Sequence, residues 1–305
     1  MSLSATILIT TKNRKSDLAA AISSALSQPC VIEVFVFDDG STDGTSAMVK
    51  AEFPTVKLSR SEASLGIVSA RNLAIGLASG DVVITIDDDC MFGNSETVRA
   101  TLDDFCSPEV GAVAIPHINV NSSGGIHSQA PDRTRRYAIS QFTGGACAIK
   151  KDIFVKLGGY DSNIWRQGEE SDYCTRLLAA GYITLCGSAG PILHYESPKR
   201  DNAAIHYHAA RSGILYAWSN VPLWALPFHL SANIVQTLLG AYSNATLLAT
   251  IRGILSGLAS VLRLQTRRAP IPTWSYRLFR RLRKRGPLPF DEVVKLVKVS
   301  SLNNA

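Results

Sequence analysis

Ile84-Thr85-Ile86-Asp87-Asp88-Asp89-Cys90 is the stretch on which the reading of this chain turns. The run Val82-Val83-Ile84-Thr85-Ile86 is β-branched and without polar alternation, which predicts a strand buried on both faces. It ends abruptly in three carboxylates. Adjacent carboxylates repel unless a cation shares their charge, and ligands of open α/β sheets sit at the carboxyl ends of strands. Hard oxygen ligands of this kind suit Mg²⁺ or Mn²⁺, held together with substrate phosphates. An acidic loop facing water is the plain alternative, and the flanking sequence has to choose.

Outward from that stretch, strand and helix patterns alternate. Ala5–Thr10 reads as a first strand, followed by a helix opened by Ser16-Asp17 with apolar positions Leu18, Ile22, Ala25 and Leu26. Val31–Phe37 reads as a second strand that runs into Asp38-Asp39-Gly40-Ser41-Thr42-Asp43-Gly44-Thr45, a turn and helix start. A short strand at Val56–Leu58 and a helix through Ala70-Arg71-Asn72 to Leu77 lead back to the acidic strand. This alternation predicts an α/β fold with a mostly parallel sheet. Neither a GxGxxG nor a P-loop pattern occurs, which argues against dinucleotide or ATPase chemistry. Further on, Gly111–Ile118 reads as one strand, and Gly144-Gly145 as a glycine pair inside another, a mark of close approach to backbone. Gly168-Glu169-Glu170-Ser171-Asp172 opens a helix with three acids in four residues, more than capping requires.

The last third differs in composition. The chain of 305 residues carries a net charge of +6, and Arg263–Arg285 holds nine Lys/Arg without an acid. Such a block argues for an anionic surface, with lipid headgroups preferred over nucleic acid. Before it, Ile234, Leu238, Ala241, Ala245, Leu248, Ile251, Leu255, Leu258 and Leu262 form a stripe at helical spacing. Pro222, Pro227 and Arg252 interrupt any run long enough to span a bilayer. An amphipathic segment beside a basic one predicts a helix lying in the membrane interface over residues 222–285, with packing on protein as the alternative. The expected organisation is a nucleotide-sugar-dependent catalytic domain over 1–203 and a helical, basic region over 204–305. The six cysteines show neither a CxxC pair nor zinc spacing, and no leader segment is evident. The expected location is therefore cytoplasmic, peripheral on the inner face of the cell membrane.

Taken in order, these motifs resemble the family 2 inverting glycosyltransferases. The resemblance covers roughly residues 4 to 200. It rests on Thr10–Arg14, Asp38–Thr45, Gly66–Asn72, Asp87–Asp89, Gly144–Ala146, Gly158-Gly159-Tyr160-Asp161, Gly168–Asp172 and His194. The bacterial rhamnosyltransferase-like branch, with its basic amphipathic tail, is the most similar. The resemblance implies a GT-A fold with a C-terminal helical extension. It also implies transfer of a sugar from a UDP-, GDP- or dTDP-linked donor to a hydroxyl of a glycan or lipid-linked acceptor. Under it, Asp39 with Thr10, Thr11 and Arg14 would line the base pocket, Arg71 would face base or diphosphate, and Asp88 would face ribose. Asp87 and Asp89 would hold Mg²⁺ or Mn²⁺, with His194 completing the site. Glu170 would be the base that deprotonates the acceptor, with Glu169 and Asp172 as alternatives; many relatives have Asp at the Glu170 position. Trp165 is a candidate platform for an acceptor sugar, and loops around Gly144, Trp165 and Arg200 would read the hexose. Two rivals are a sugar-phosphate nucleotidyltransferase, which needs a glycine-rich loop where Thr10–Arg14 has none, and a non-catalytic sugar-nucleotide-binding scaffold.

Overall fold

The predicted alternation is present from the start: β1 (Ala5–Thr11), α1 (Lys15–Leu26), β2 (Val31–Asp38), α2 (Thr45–Glu52), β3 (Lys57–Arg60), α3 (Ile67–Leu77) and β4 (Val82–Asp87). The structure is a computed structural model that describes residues 3–122, 124–196, 201–243, 246–263 and 268–302. Ala245 of the apolar stripe, Arg200 and Arg267 lie outside them. β3-β2-β1-β4 pair in parallel, and β1 aligns Thr10 with Asp87 on β4 and Thr11 with Asp38 on β2. Two strand ends that carry acids are thereby brought to one edge. Successive residues of β1 point to opposite faces: Leu8 packs with one core layer, Ile7 and Ile9 with the other. Helices on both faces explain why these strands are apolar throughout.

After β4 the sheet becomes mixed. β5 (Cys90–Phe92), α4 (Thr97–Asp103), β6 (Val110–Ala114), β7 (His117–Asn119), β8 (Tyr137–Ile139), β9 (Ala146–Lys150), α5 (Lys151–Lys156), α6 (Glu169–Ala179), β10 (Ile183–Cys186) and β11 (Ile192–His194) follow. β9 enters antiparallel between β4 and β6, while β10 pairs with β6 in parallel, so antiparallel pairing in this sheet falls on β9 and on the outer strands β8 and β12. The single strand expected over Gly111–Ile118 is two. Pro116 offers no N–H to a ladder, and the chain leaves β6 in the main sheet to enter β7 in a second one of order β5-β11-β7. That small sheet carries His194 back to the acidic strand end: in register it faces Cys90 on β5 and Asn119 on β7.

The C-terminal region forms α7 (Asn202–Asn220), α8 (Leu226–Ser243), α9 (Leu247–Leu262), α10 (Thr273–Arg285), β12 (Leu288–Pro289) and α11 (Phe290–Leu302). The stripe read as one segment is two helices, α8 and α9. At Gly253 and Gly257 of α9 a Cβ would run into Tyr207 and Ile214 of α7, so these helices touch backbone to backbone. No helix of the described residues is long and apolar enough to cross a membrane. The basic segment departs from a helix lying free on a surface. Tyr276, Leu278, Phe279 and Leu282 of α10 and Val293 and Val297 of α11 are buried in the core layer that holds Tyr173 and Leu177 of α6. Each such side chain contributes about 1.5–3 kcal/mol. β12 then adds to β8 as the outer strand of the main sheet, so contacts cross the boundary expected at 203/204.

Candidate active site

The sequence places Asp87, Asp88 and Asp89 where β4 leaves the core, and the fold surrounds them with cations. Val82–Ile86 are buried, and Asp87 is the first residue of β4 to reach solvent. Arg71 of α3 is itself buried, with Nη2 2.5 Å from Asp87 Oδ1. Arg14 lies 2.5 Å from Asp89 Oδ2 and 3.4 Å from Asp88 Oδ1. The Thr11 hydroxyl donates to Asp88 Oδ2 at 2.8 Å. Burial dominates at Asp88 and pushes its carboxyl up to about 7, against the pull of Arg14 and Thr11. At Asp89 burial also works against the charge, but hydrogen bonds from His194 and Arg14 prevail and hold the carboxyl below its usual range.

Asp87, Asp89, Cys90 and His194 offer ligand atoms that all lie within 4.8 Å of one another. His194 Nε2 is 3.2 Å from Asp89 Oδ1, and its Nδ1 is 2.9 Å from Asn119 Oδ1. With Nδ1–H donating to the amide oxygen, the ring is oriented so that Nε2 faces the carboxylates, donating to Asp89 when the imidazole is protonated and offering a lone pair to a metal when it is neutral. Burial raises the Cys90 thiol far above its usual range, and a soft sulfur is the poorest match of the four to a hard cation such as Mn²⁺ or Mg²⁺. Two carboxylates and one imidazole remain, a set that suits Mn²⁺ or Mg²⁺ and leaves room for phosphate oxygens.

The facing wall comes from the glycine pair and α6. It is side chains that approach Gly144 and Gly145 closely. A Cβ on Gly145 would overlap the Asp87 carboxylate, and one on Gly144 would overlap the Arg71 guanidinium and come within 2.8 Å of Glu170 Oε1. Thr85 Oγ1 donates to the Gly144 carbonyl at 2.6 Å and fixes this turn to β4. The strand itself begins only at Ala146. Glu170, half-buried, accepts from the Gly144 N–H at 3.1 Å. Glu169 is buried, 3.8 Å from Arg71 Nη1, and its Oε2 has no partner. Burial, and next the neighbouring Glu170, push its carboxyl up to about 7. Asp172 is occupied elsewhere: Oδ2 accepts from Arg176 at 2.7 and 2.9 Å, and Oδ1 from Asn220 at 2.7 Å, which ties α6 to α7.

Asp39 is also committed. It accepts from Ser64 Oγ at 2.7 Å and from the N–H groups of Leu65 at 2.6 Å and Gly66 at 3.1 Å. It therefore shapes the loop before α3 with both oxygens. Thr10 is buried beneath it on β1. Trp165, half exposed, packs its six-membered ring against Gly66, where a Cβ would meet it at 2.9 Å. An aromatic face is thereby set beside the Asp39 loop instead of in the core. Asn119 and Thr85 are contributors that sequence reasoning missed, since neither stands in a motif.

Comparison with known proteins agrees with this geometry. The model of glycosyl transferase family 2 matches residues 6–159, and one described as the N-terminal domain of galactosyltransferase matches 124–196. An N-acetylglucosaminyl-diphospho-decaprenol L-rhamnosyltransferase of Mycobacterium tuberculosis is 26% identical over 252 residues, 68% of this chain and 81% of that protein. An uncharacterized glycosyltransferase of Haemophilus influenzae is 27% identical over 181 residues, 56% of this chain and 61% of its own length. Against the succinoglycan biosynthesis protein ExoU of Rhizobium meliloti, 37% identical, the match spans 28% of this chain and 26% of that protein. Among solved structures, the mannosyltransferase PcManGT of Pyrobaculum calidifontis, in complex with GDP-Man and Mn²⁺, superposes with a TM-score of 0.58. It is 19% identical and covers 99% of this chain and 88% of its own. These likenesses give the fold, a GT-A α/β fold with helices about a central sheet. The chain belongs to glycosyl transferase family 2.

Proposed function

We propose that this protein transfers a hexosyl or deoxyhexosyl group from a nucleotide-diphosphate sugar to a hydroxyl of a glycan or lipid-linked acceptor, with inversion and with a divalent cation. The observation that carries the proposal is the pairing of Asp87, Asp89 and His194 at one strand end with Glu170 across the Gly144 turn. Glu170 takes the proton of the acceptor hydroxyl as its oxygen attacks the anomeric carbon from the face opposite the leaving group. The bond from that carbon to the diphosphate breaks, and the nucleoside diphosphate departs. Asp87, Asp89 and His194 would hold Mg²⁺ or Mn²⁺, which supplies charge neutralisation for the departing diphosphate. Arg14 and Arg71, now paired with the carboxylates, are the resident cations that can turn toward phosphate oxygens. Thr11, Asp88 and the Asp39 loop flank the nucleotide side, and Trp165 offers a face to a sugar ring or base.

The acceptor side is supported by the C-terminal helices. Leu223, Phe228, Leu239, Tyr242, Leu255 and Leu262 are all exposed, and the basic α10 lies beside α8. A membrane-bound acceptor at the cytoplasmic face suits such a surface. The test is a thermal-shift screen of UDP-, GDP- and dTDP-sugars with Mn²⁺, followed by turnover on any donor found. A shift abolished by EDTA and by Asp89→Ala supports the reading. Donor binding without transfer, unaffected by Glu170→Ala, would transfer it to the scaffold alternative.

A further inference from the structure

Far along the chain from the acidic strand end, α8 and α10 enclose a groove whose two halves differ in chemistry. One half, of about 410 Å³, is lined by Arg280, Arg283 and Lys284 of α10 with Asn233 and Gln236 of α8. The other, of about 420 Å³, is lined by Trp224, Phe228 and Tyr276, with Arg277 lying over the Trp224 ring at 5.6 Å. The halves share His229, Ala232 and Arg280, and so form one continuous furrow. The His229 ring, buried, joins Tyr276 Oη at 2.9 Å and fixes the two helices against each other. No acid lines either half, and among the described residues Arg280, Arg283 and Lys284 have no carboxylate within salt-bridge distance. Burial and the flanking Arg280 and Arg283 lower the His229 imidazole to about 4, so it adds no charge of its own at neutral pH.

Three unneutralised cations at one end, and at the other an exposed aromatic pair edged by Arg277, complement a molecule with an anionic head and a hydrocarbon chain. We propose that this groove binds the phosphate of an anionic membrane lipid, with the head on Arg280, Arg283 and Lys284 and the chain over Phe228 and Trp224. The proposal rests on the membrane reading above and narrows it from a diffuse charged surface to one site. Guanidinium groups recognise phosphate through paired, charge-assisted hydrogen bonds. A bilayer attracting the whole basic region would treat all its exposed arginines alike, at about 1 kcal/mol or roughly fivefold each.

The experiment compares charge-matched variants of the full chain, Arg280→Gln/Arg283→Gln in the groove and Arg252→Gln/Arg263→Gln outside it. All four arginines are exposed, so the fold tolerates the changes. Binding is measured to phosphatidylcholine vesicles with and without phosphatidic acid, to dihexanoyl phosphatidic acid as a monomer, and to inorganic phosphate. The expected result is that the groove variant loses about tenfold more affinity for both phosphatidic acid probes than its control. Phe228→Ser is expected to weaken the monomeric lipid and leave inorganic phosphate unchanged. Equal loss in the two double variants on vesicles, with the monomeric lipid unbound, overturns the groove while the membrane reading stands. Inorganic phosphate binding as tightly as the lipid overturns the lipid assignment. Absence of binding to every vesicle and to the monomer overturns both.

Discussion

Replacing Asp172 by Asn separates a structural acid from a chemical one within a single helical turn. Asp172 is 2% exposed, and its oxygens are taken by Arg176 and Asn220. Asn keeps the shape but removes the charge, and turns an amide donor toward groups that are already donors. Removing one partner of a fully buried ion pair costs about 3–5 kcal/mol. Arg176 is 24% exposed in its side chain and keeps its bonds to the Leu157 and Gly159 carbonyls, so solvent and backbone compensate part of this. We expect a loss of about 2–3 kcal/mol, which for a domain of this size lowers Tm by about 5 °C. Urea unfolding gives the free energy, and turnover per folded molecule gives the chemistry. The variant should retain turnover within about threefold below its transition, because its carboxylate does not face the reacting atoms. A fall of two or more orders of magnitude with unchanged unfolding would refute the reasoning and make Asp172 the base.

Glu170→Gln should lower turnover by about 10²–10⁴-fold with donor affinity unchanged, since the amide oxygen can still accept from Gly144; calorimetry and initial rates read the two effects separately. Gly145→Ala should weaken Mn²⁺ binding measured by titration, at a cost of about 1–3 kcal/mol in stability, because the new methyl displaces the Asp87 carboxylate. In metal-free protein, Glu169 and Asp88 bind a proton more tightly folded than unfolded. Their contribution to stability is therefore complete below about pH 4 and is lost as pH rises through 7, with a shallower slope in Glu169→Gln. Urea midpoints at a series of pH values provide the check.

The acidic strand end was legible because an unbroken β-branched run can only be buried, and three acids after it must lie at its edge. What could not be read is anything set by distant pairing. Asn119 meets His194 across two short strands of a second sheet, 75 residues apart, and no local pattern marks that contact. That the oxygens of Asp39 also close a loop 22 to 27 residues further on could not be read from its own turn. The glycine pair was expected to mark the approach of a ligand, and the groups packed against it are the Asp87 and Arg71 side chains. Helical spacing continued smoothly through the end of α8 at Ser243 and the start of α9 at Leu247, so periodicity merged two helices. The two-residue β12 contains a proline and is too short for any strand pattern.

The placement of β12 bears on how this protein can be taken apart. Trimming the chain before α10 would strip β8 of its outer neighbour and leave the N–H and C=O groups of that edge open to other chains. It would also remove Phe279, Leu282, Val293 and Val297 from the core layer that holds Tyr173 and Leu177. A shortened protein that no longer sediments with membranes, or that precipitates, would report a broken sheet and say nothing about lipid. Point changes on the outer faces of α8 and α10 are the route that keeps the sheet closed.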